Sequence, residues 1–286
     1  MICSWREGNK DMNNKSILII GGPNSGKTHF GGQLYLRFRC DEYSYKILTP
    51  PEDLTIFEEV VNCLYDGRSA KHTNSESHKN LSLEIIDHKE NTISISFPDY
   101  GGEQIRQVVN NRQINDLWQN QIENSNNWML FIRLDEIPEI EDIVNRPLPE
   151  KVETKNNANS TFKISDNAFY VELLQMFLFT KNVSTKQDIE LPKLMIILSC
   201  WDLLKTKETP SEVLKKRLPL FYEYVVNLWD ENCLQIMGLS STEKTLSNKK
   251  SDDAYLNSSP EKFGYIVLPD GKKEKDLTLL INKLVE

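Results

Sequence analysis

Eight consecutive residues, Gly21-Gly22-Pro23-Asn24-Ser25-Gly26-Lys27-Thr28, follow directly on the apolar run Ser16-Ile17-Leu18-Ile19-Ile20. They match G-x-x-x-x-G-K-S/T, and the chemistry of that spacing is phosphate binding. Glycines at 21, 22 and 26 let the backbone turn tightly enough for its N–H groups to wrap phosphate oxygens, with Pro23, Asn24 and Ser25 completing the turn. Lys27 can reach the β- and γ-phosphates, and the Thr28 hydroxyl can bind Mg²⁺. His29 sits in the first turn of the helix expected next, whose N-terminus favours an anion. The alternative is a glycine turn with no ligand; the strand before the loop and the helix after it weigh against that.

A second constellation is Ser96-Phe97-Pro98-Asp99-Tyr100-Gly101-Gly102-Glu103. A strand ends at a carboxylate, and a glycine stands three residues on. Asp99 would hold Mg²⁺ through water, and the Gly102 N–H would bond the γ-phosphate, so the segment would respond to loss of that phosphate. Read blandly, it is a strand-to-helix turn in which Glu103 favours a helix N-terminus. Glu103 can also position water, but its charge repels the γ-phosphate, so slow turnover is expected. Arg106 reads as a solvated helix residue. Two threonines, Thr49 and Thr73, carry hydroxyls able to bind Mg²⁺ and read blandly as loop residues; resemblance to nucleotide-switch proteins, where such a threonine precedes the strand pairing with the next switch, implies Thr73, just before the hairpin. The third constellation is Leu198-Ser199-Cys200-Trp201-Asp202, at the end of a buried apolar run. The Asp202 carboxylate can accept two hydrogen bonds from the N1 and exocyclic amine of guanine, a pair that adenine lacks; its bland reading is a helix cap.

The elements that must carry these groups follow from periodicity. Strands are expected at Ser16–Gly22, Tyr43–Leu48, Leu81–Ile86, Thr92–Phe97, Trp128–Leu134, Leu194–Leu198, Leu234–Leu239 and Gly264–Val267. The third and fourth alternate in polarity across Asp87–Asn91 and read as a hairpin. Helices are expected after Thr28, over Glu52–Tyr65, Gln104–Ile122, Phe169–Phe179, Ser211–Trp229 and Leu277–Val285. Apolar strands alternating with helices imply an α/β fold of three layers, α/β/α, around a mostly parallel sheet with one antiparallel hairpin strand. One domain over residues 15–286 is expected, behind a polar lead-in at 1–14, with insertions near 50–70, 138–168 and 241–260.

Composition narrows the function classes. The chain has 286 residues and a formal net charge of −8, which argues against nucleic acid or an anionic membrane as the main partner. Five scattered cysteines without a C-x-x-C pair suit reduced thiols in a cytoplasm rather than disulfides or zinc. No run is long and apolar enough to span a membrane, and the first residues lack a signal-peptide core. The four histidines form no metal-ligand pattern, and no nucleophile elbow is present.

With its three constellations in this order, the chain resembles the TRAFAC class of P-loop GTPases, the group containing the Ras-like small GTPases. Gly21–Thr28 matches the phosphate loop and Asp99–Gly102 the start of switch II. Ser199–Asp202 falls where that class has N-K-x-D; Asp202 is kept, while Ser199 and Cys200 replace the Asn and the Lys that braces base and loop. Gly238-Leu239-Ser240 falls at the last guanine-contacting turn, so Ser240 joins the base site. The phrases Asp99–Glu103, Trp201-Asp202-Leu203-Leu204 and Gly264–Val267 look most like predicted bacterial GTPases of the double-GTPase kind, found in conflict and defence gene clusters. The resemblance implies a cytoplasmic, Mg²⁺-dependent GTP/GDP switch acting on an unidentified protein effector or co-encoded subunit, or forming a nucleotide-dependent dimer. Asn24 also resembles its counterpart in cation-stimulated GTPases, where it helps place K⁺; otherwise it suits a turn. Two rivals stand beside the GTPase: an ATPase, and a nucleotide-bound scaffold with negligible turnover.

Overall fold

The computed structural model describes residues 15–49, 55–70, 81–98, 102–137 and 164–286. Ile17, Leu18, Ile19 and Ile20 are each at most 2% exposed, because β1 (Lys15–Gly21) lies inside a nine-stranded sheet covered on both faces. The other strands are β2 (Tyr45–Thr49), β3 (Leu81–Asp87), β4 (Thr92–Phe97), β5 (Asn127–Arg133), β6 (Lys193–Ser199), β7 (Leu234–Ser240), β8 (Tyr265–Val267) and β9 (Lys273–Glu274). Their order is β2-β3-β4-β1-β5-β6-β7-β8-β9.

The five central strands, β4 to β7 in that order, are parallel. The hairpin strand β3 is antiparallel to β4, as expected. The margins carry more antiparallel pairing than one hairpin strand: β2 adds to β3, and β8 and β9 extend the opposite side. Short, partly polar strands suit these edges, where one row of backbone groups faces solvent.

The helices are α1 (Lys27–Phe38), α2 (Thr55–Tyr65), α3 (Glu103–Asn111), α4 (Asp116–Asn124), α5 (Asp166–Thr180), α6 (Trp201–Leu204), α7 (Pro210–Arg217), α8 (Pro219–Val226), α9 (Asp253–Leu256) and α10 (Leu279–Val285). Alternate residues of each strand point to opposite faces. Ile17 and Ile19 therefore join a core with α1, α2 and α10. Leu18 and Ile20 join a second core with α3, α4, α5, α7 and α8. Tyr35 on α1 stacks on Phe57 of α2 with centroids 5.1 Å apart.

Two helices expected as continuous are broken. The segment over 104–122 divides at Arg112, which is left-handed (φ 51°), and Asn115 caps α4 by accepting from Trp118 N at 2.9 Å. The segment over 211–229 divides at Pro219, which lacks the N–H needed to continue α7 and starts α8 instead. The polar stretch 241–260, read as a loop, contains α9. Its Tyr255 is 1% exposed and stacks on Phe263 at 3.8 Å.

The parallel centre has one consequence for chemistry. It brings Gly21, Arg133, Ser199 and Ser240, the last residues of β1, β5, β6 and β7, to one edge of the sheet. Ligands of open α/β sheets bind at that edge.

Candidate nucleotide site

The phosphate loop leaves β1 at Gly21 and enters α1 through Gly26, whose φ of 83° lies in the left-handed region. Only glycine takes that conformation without strain. No side chain caps α1 and no carboxylate sits in its first turn, so its amide ends suit an anion. Gly21 is tightly enclosed: a β-carbon there would meet Ser25 Oγ at 2.7 Å and Phe131 Cβ at 2.9 Å. Gly22 has open space where a β-carbon would stand. Ser25 donates its hydroxyl to Gly22 O at 2.7 Å. Lys27 is buried within the loop and donates to Gly21 O at 2.5 Å and Gly22 O at 2.9 Å. Cationic Nζ, first-turn amides and a first turn without a carboxylate together fit the phosphates of a nucleotide.

Thr28 begins α1 beside Lys27. The other two Mg²⁺ candidates, Asp99 and Thr73, lie outside the described residues. Thr49 ends β2, three strands out from β1, which is about 14 Å away at ordinary strand spacing. The structure thus does not bring Thr49 to the loop. His29 turns elsewhere: its Nε2 accepts from Ala70 N at 3.3 Å, and burial pulls the imidazole down to about 4. The ring serves the segment after α2 as a neutral acceptor.

Gly102 caps α3 with φ 82° and is packed on the phosphate loop itself. Glu103 opens α3 one residue further on. Arg106 is exposed on α3 and acts electrostatically on Tyr170 of α5, which agrees with a surface role.

At the base side, Ser240 Oγ donates to Asp202 Oδ1 at 2.6 Å. These residues are 38 apart in sequence, and β6 beside β7 unites them. Asp202 is placed by its neighbour Trp201, whose ring lies where a β-carbon on Gly238 would come within 2.6 Å. Cys200 is left-handed at φ 54°, and burial pushes its thiol up to about 11, so it is neutral at pH 7. Ser199 lies against the phosphate loop, 3.5 Å from where a β-carbon on Gly26 would be. Phosphate and base candidates are thus adjoining parts of one surface.

One residue of this surface was not singled out from the sequence. Arg133 ends β5, pairs with Asp135 through two bonds of 2.9 and 3.0 Å, and reaches Asn24 O at 3.5 Å. The signal was a lone cation closing an apolar run, a pattern too common to select by itself.

Sheet order and the glycine-cornered loop define a P-loop protein of α/β architecture. A family model, Double-GTPase 1, matches residues 18–284, and the chain belongs to that family. GTP binding and hydrolysis are the activity that membership carries. No curated protein matches. Among solved structures, the chain is similar to the Arl6 BBS3 small GTPase of Trypanosoma brucei with bound GppNp, at 10% identity and TM-score 0.40, covering 80% of this chain and 87% of that one. It is also similar to the GTPase-like domain of Ski7 from S. cerevisiae bound to GTP, at 13% identity and TM-score 0.41, covering 80% of this chain but 43% of that one. At these scores the likeness adds nothing about function. Among the described residues, no helix is long and apolar enough to cross a membrane.

Proposed function

We propose that this GTPase is a slow, Mg²⁺-dependent switch whose GTP-bound and GDP-bound forms are read by a protein partner. The observation that supports it best is the Ser240–Asp202 bond of 2.6 Å beside a phosphate loop that contacts Ser199. A carboxylate held still by a neighbouring hydroxyl keeps its free lone pairs aimed at one pair of donors, and guanine offers such a pair.

The roles divide by chemistry. Lys27 and the loop amides bind the β- and γ-phosphates and meet the charge that grows on them. Thr28, with Asp99 and Thr73, would hold Mg²⁺, which supplies further charge neutralisation between those phosphates. Gly102 offers a backbone N–H to the γ-phosphate, and Glu103 orients the attacking water. Loss of the γ-phosphate removes the contact at Gly102 and frees the segment behind it. A cytoplasmic setting, a co-encoded subunit or nucleotide-dependent dimer, and a place in bacterial defence belong to this reading through family resemblance.

The test is phosphate release from GTP and from ATP with Mg²⁺, in potassium and in sodium buffer. Turnover of GTP alone supports the reading. Preference for ATP would sink the assignment of Asp202. Equal rates in the two buffers would assign Asn24 to the turn rather than to K⁺. Silence with both nucleotides, together with no rise in a Glu103→Gln variant, would favour a scaffold.

A further inference from the structure

Arg133 closes β5 opposite Ser199 of β6, and its side chain is 27% exposed. A guanidinium so placed loses hydration and needs carboxylates in return. Asp135 supplies a two-pronged partner, Nε to Oδ1 at 2.9 Å and Nη2 to Oδ2 at 3.0 Å. Glu136 stands 3.4 Å from Nη1. A planar fork gripped along one side has its remaining direction fixed. That direction is the phosphate loop: Nη1 donates to the carbonyl oxygen of Asn24 at 3.5 Å. The contact is long for a hydrogen bond, so it acts mainly as charge on dipole.

Asn24 has φ 60°, a left-handed backbone that asparagine tolerates in turns, and this turn presents its carbonyl oxygen to Arg133. At the end of β6, beside the loop, the corresponding position carries no cation. The residue after Ser199 is Cys200, a thiol that burial keeps protonated, with Asp135 and Asp202 adding to the effect and Arg133 opposing it. Arg133 and Cys200 therefore lie close enough to act on each other across the two strand ends.

We propose that Arg133 is a positioning residue that braces the phosphate loop from the base side, the role filled by the lysine of N-K-x-D where that motif is complete. Here the cation stands at the end of β5 rather than after β6. By holding Asn24 O it keeps the loop amides aimed at the phosphates, so GDP and GTP depend on it alike. The inference rests on the GTP reading above.

The experiment uses the full chain and equilibrium titration with fluorescent GDP and a non-hydrolysable fluorescent GTP analogue. The proteins are wild type, Arg133→Ala, Arg133→Lys, and Arg133→Ala combined with Cys200→Lys. Arg133→Ala should weaken both nucleotides by about ten- to a hundredfold, the range for a lost charged hydrogen bond. Arg133→Lys should recover part of the loss. Cys200→Lys should recover most of it in the Arg133→Ala background, because the cation returns beside the loop from the other strand; a structural role for Arg133 in its own pocket would show no such rescue. Melting without nucleotide reports folding, and a folded double variant that stays weak overturns the proposal even if Arg133→Ala alone is unstable. Arg133→Ala binding within about twofold of wild type also overturns it, while leaving the GTP reading in place. Wild-type protein that takes up neither nucleotide overturns both.

Discussion

A β-carbon on Gly102 would stand 2.3 Å from the carbonyl carbon of Gly22 and 2.4 Å from its oxygen. The start of α3 and the phosphate loop are therefore in backbone contact, and any side chain at 102 must push them apart. Gly102 also has φ 82°, which costs an L-residue of order 1 kcal/mol or more. Gly102→Ala should lose turnover by about a hundredfold or more while retaining the sheet. Phosphate release together with GDP affinity checks this: a variant that hydrolyses GTP like wild type would remove Gly102 from the site.

Ser240 donates to Asp202, and the two form the proposed base-side pair. Asp202→Ala should weaken GTP by roughly ten- to a hundredfold and leave weak ATP binding unchanged, since it removes an acceptor for two donors of guanine. Ser240→Ala should cost less, about tenfold at most, because the carboxylate remains but is no longer held. Competition titration with GTP, ATP and ITP separates the two effects; inosine lacks the exocyclic amine and should suffer less from Asp202→Ala than guanosine.

Trp201 occupies the space a β-carbon at Gly238 would need, with ring atoms at 2.6 and 2.7 Å. Trp201 is 4% exposed, and both ring and strand belong to a packed core. Gly238→Ala should destabilise by about 1–3 kcal/mol through overpacking and displace Asp202, lowering GTP affinity as well. Urea unfolding and guanine-nucleotide titration of the same variant test the coupling; loss of stability with full affinity would break it.

His29 makes stability fall with acid. Its folded value of about 4 lies below the ordinary 6.5, through burial. Above pH 6.5 the ring is neutral in both states and nothing is lost. Between pH 6.5 and 4 the unfolded chain takes a proton that the folded one refuses, so stability declines by roughly 3 kcal/mol in all, and below pH 4 this contribution is flat. His29→Gln, neutral throughout, should show a shallower decline in urea midpoint between pH 7 and 4. Parallel curves for the two proteins would show that burial of His29 exerts no such penalty.

The motif residues were legible because their chemistry is local. Gly21–Thr28 needs only a strand before it and a helix after it, and the apolar run 16–20 announces the strand. The hairpin of β3 and β4 was equally legible, since both strands bury one face and alternate accordingly. The breaks at Arg112 and Pro219 were less so: helical spacing of apolar residues continues through each, and the cap at Asn115 or the missing N–H of Pro219 decides only where neighbouring helices pack. The helix at 253–256 was hidden by polar composition, because its stability comes from Tyr255 against Phe263 and not from a periodic face.

The amino-acid sequence alone determined the phosphate loop, the order of its strands and helices along the chain, and which carboxylate ends the β6 segment as the candidate for the base. Local rules suffice there: glycine where φ must be positive, apolar runs where both faces are covered, a cation and a hydroxyl at fixed offsets. Only the tertiary structure decided which distant residues meet. It set Ser240 on Asp202, Gly102 against Gly22, and Arg133 at Asn24, while leaving Thr49 on an outer strand. Those outcomes depend on strand order and parallel register, which bring Arg133 and Asn24, 109 positions apart, together at one sheet edge. No local pattern encodes that, because it arises from packing two helical layers on a shared sheet.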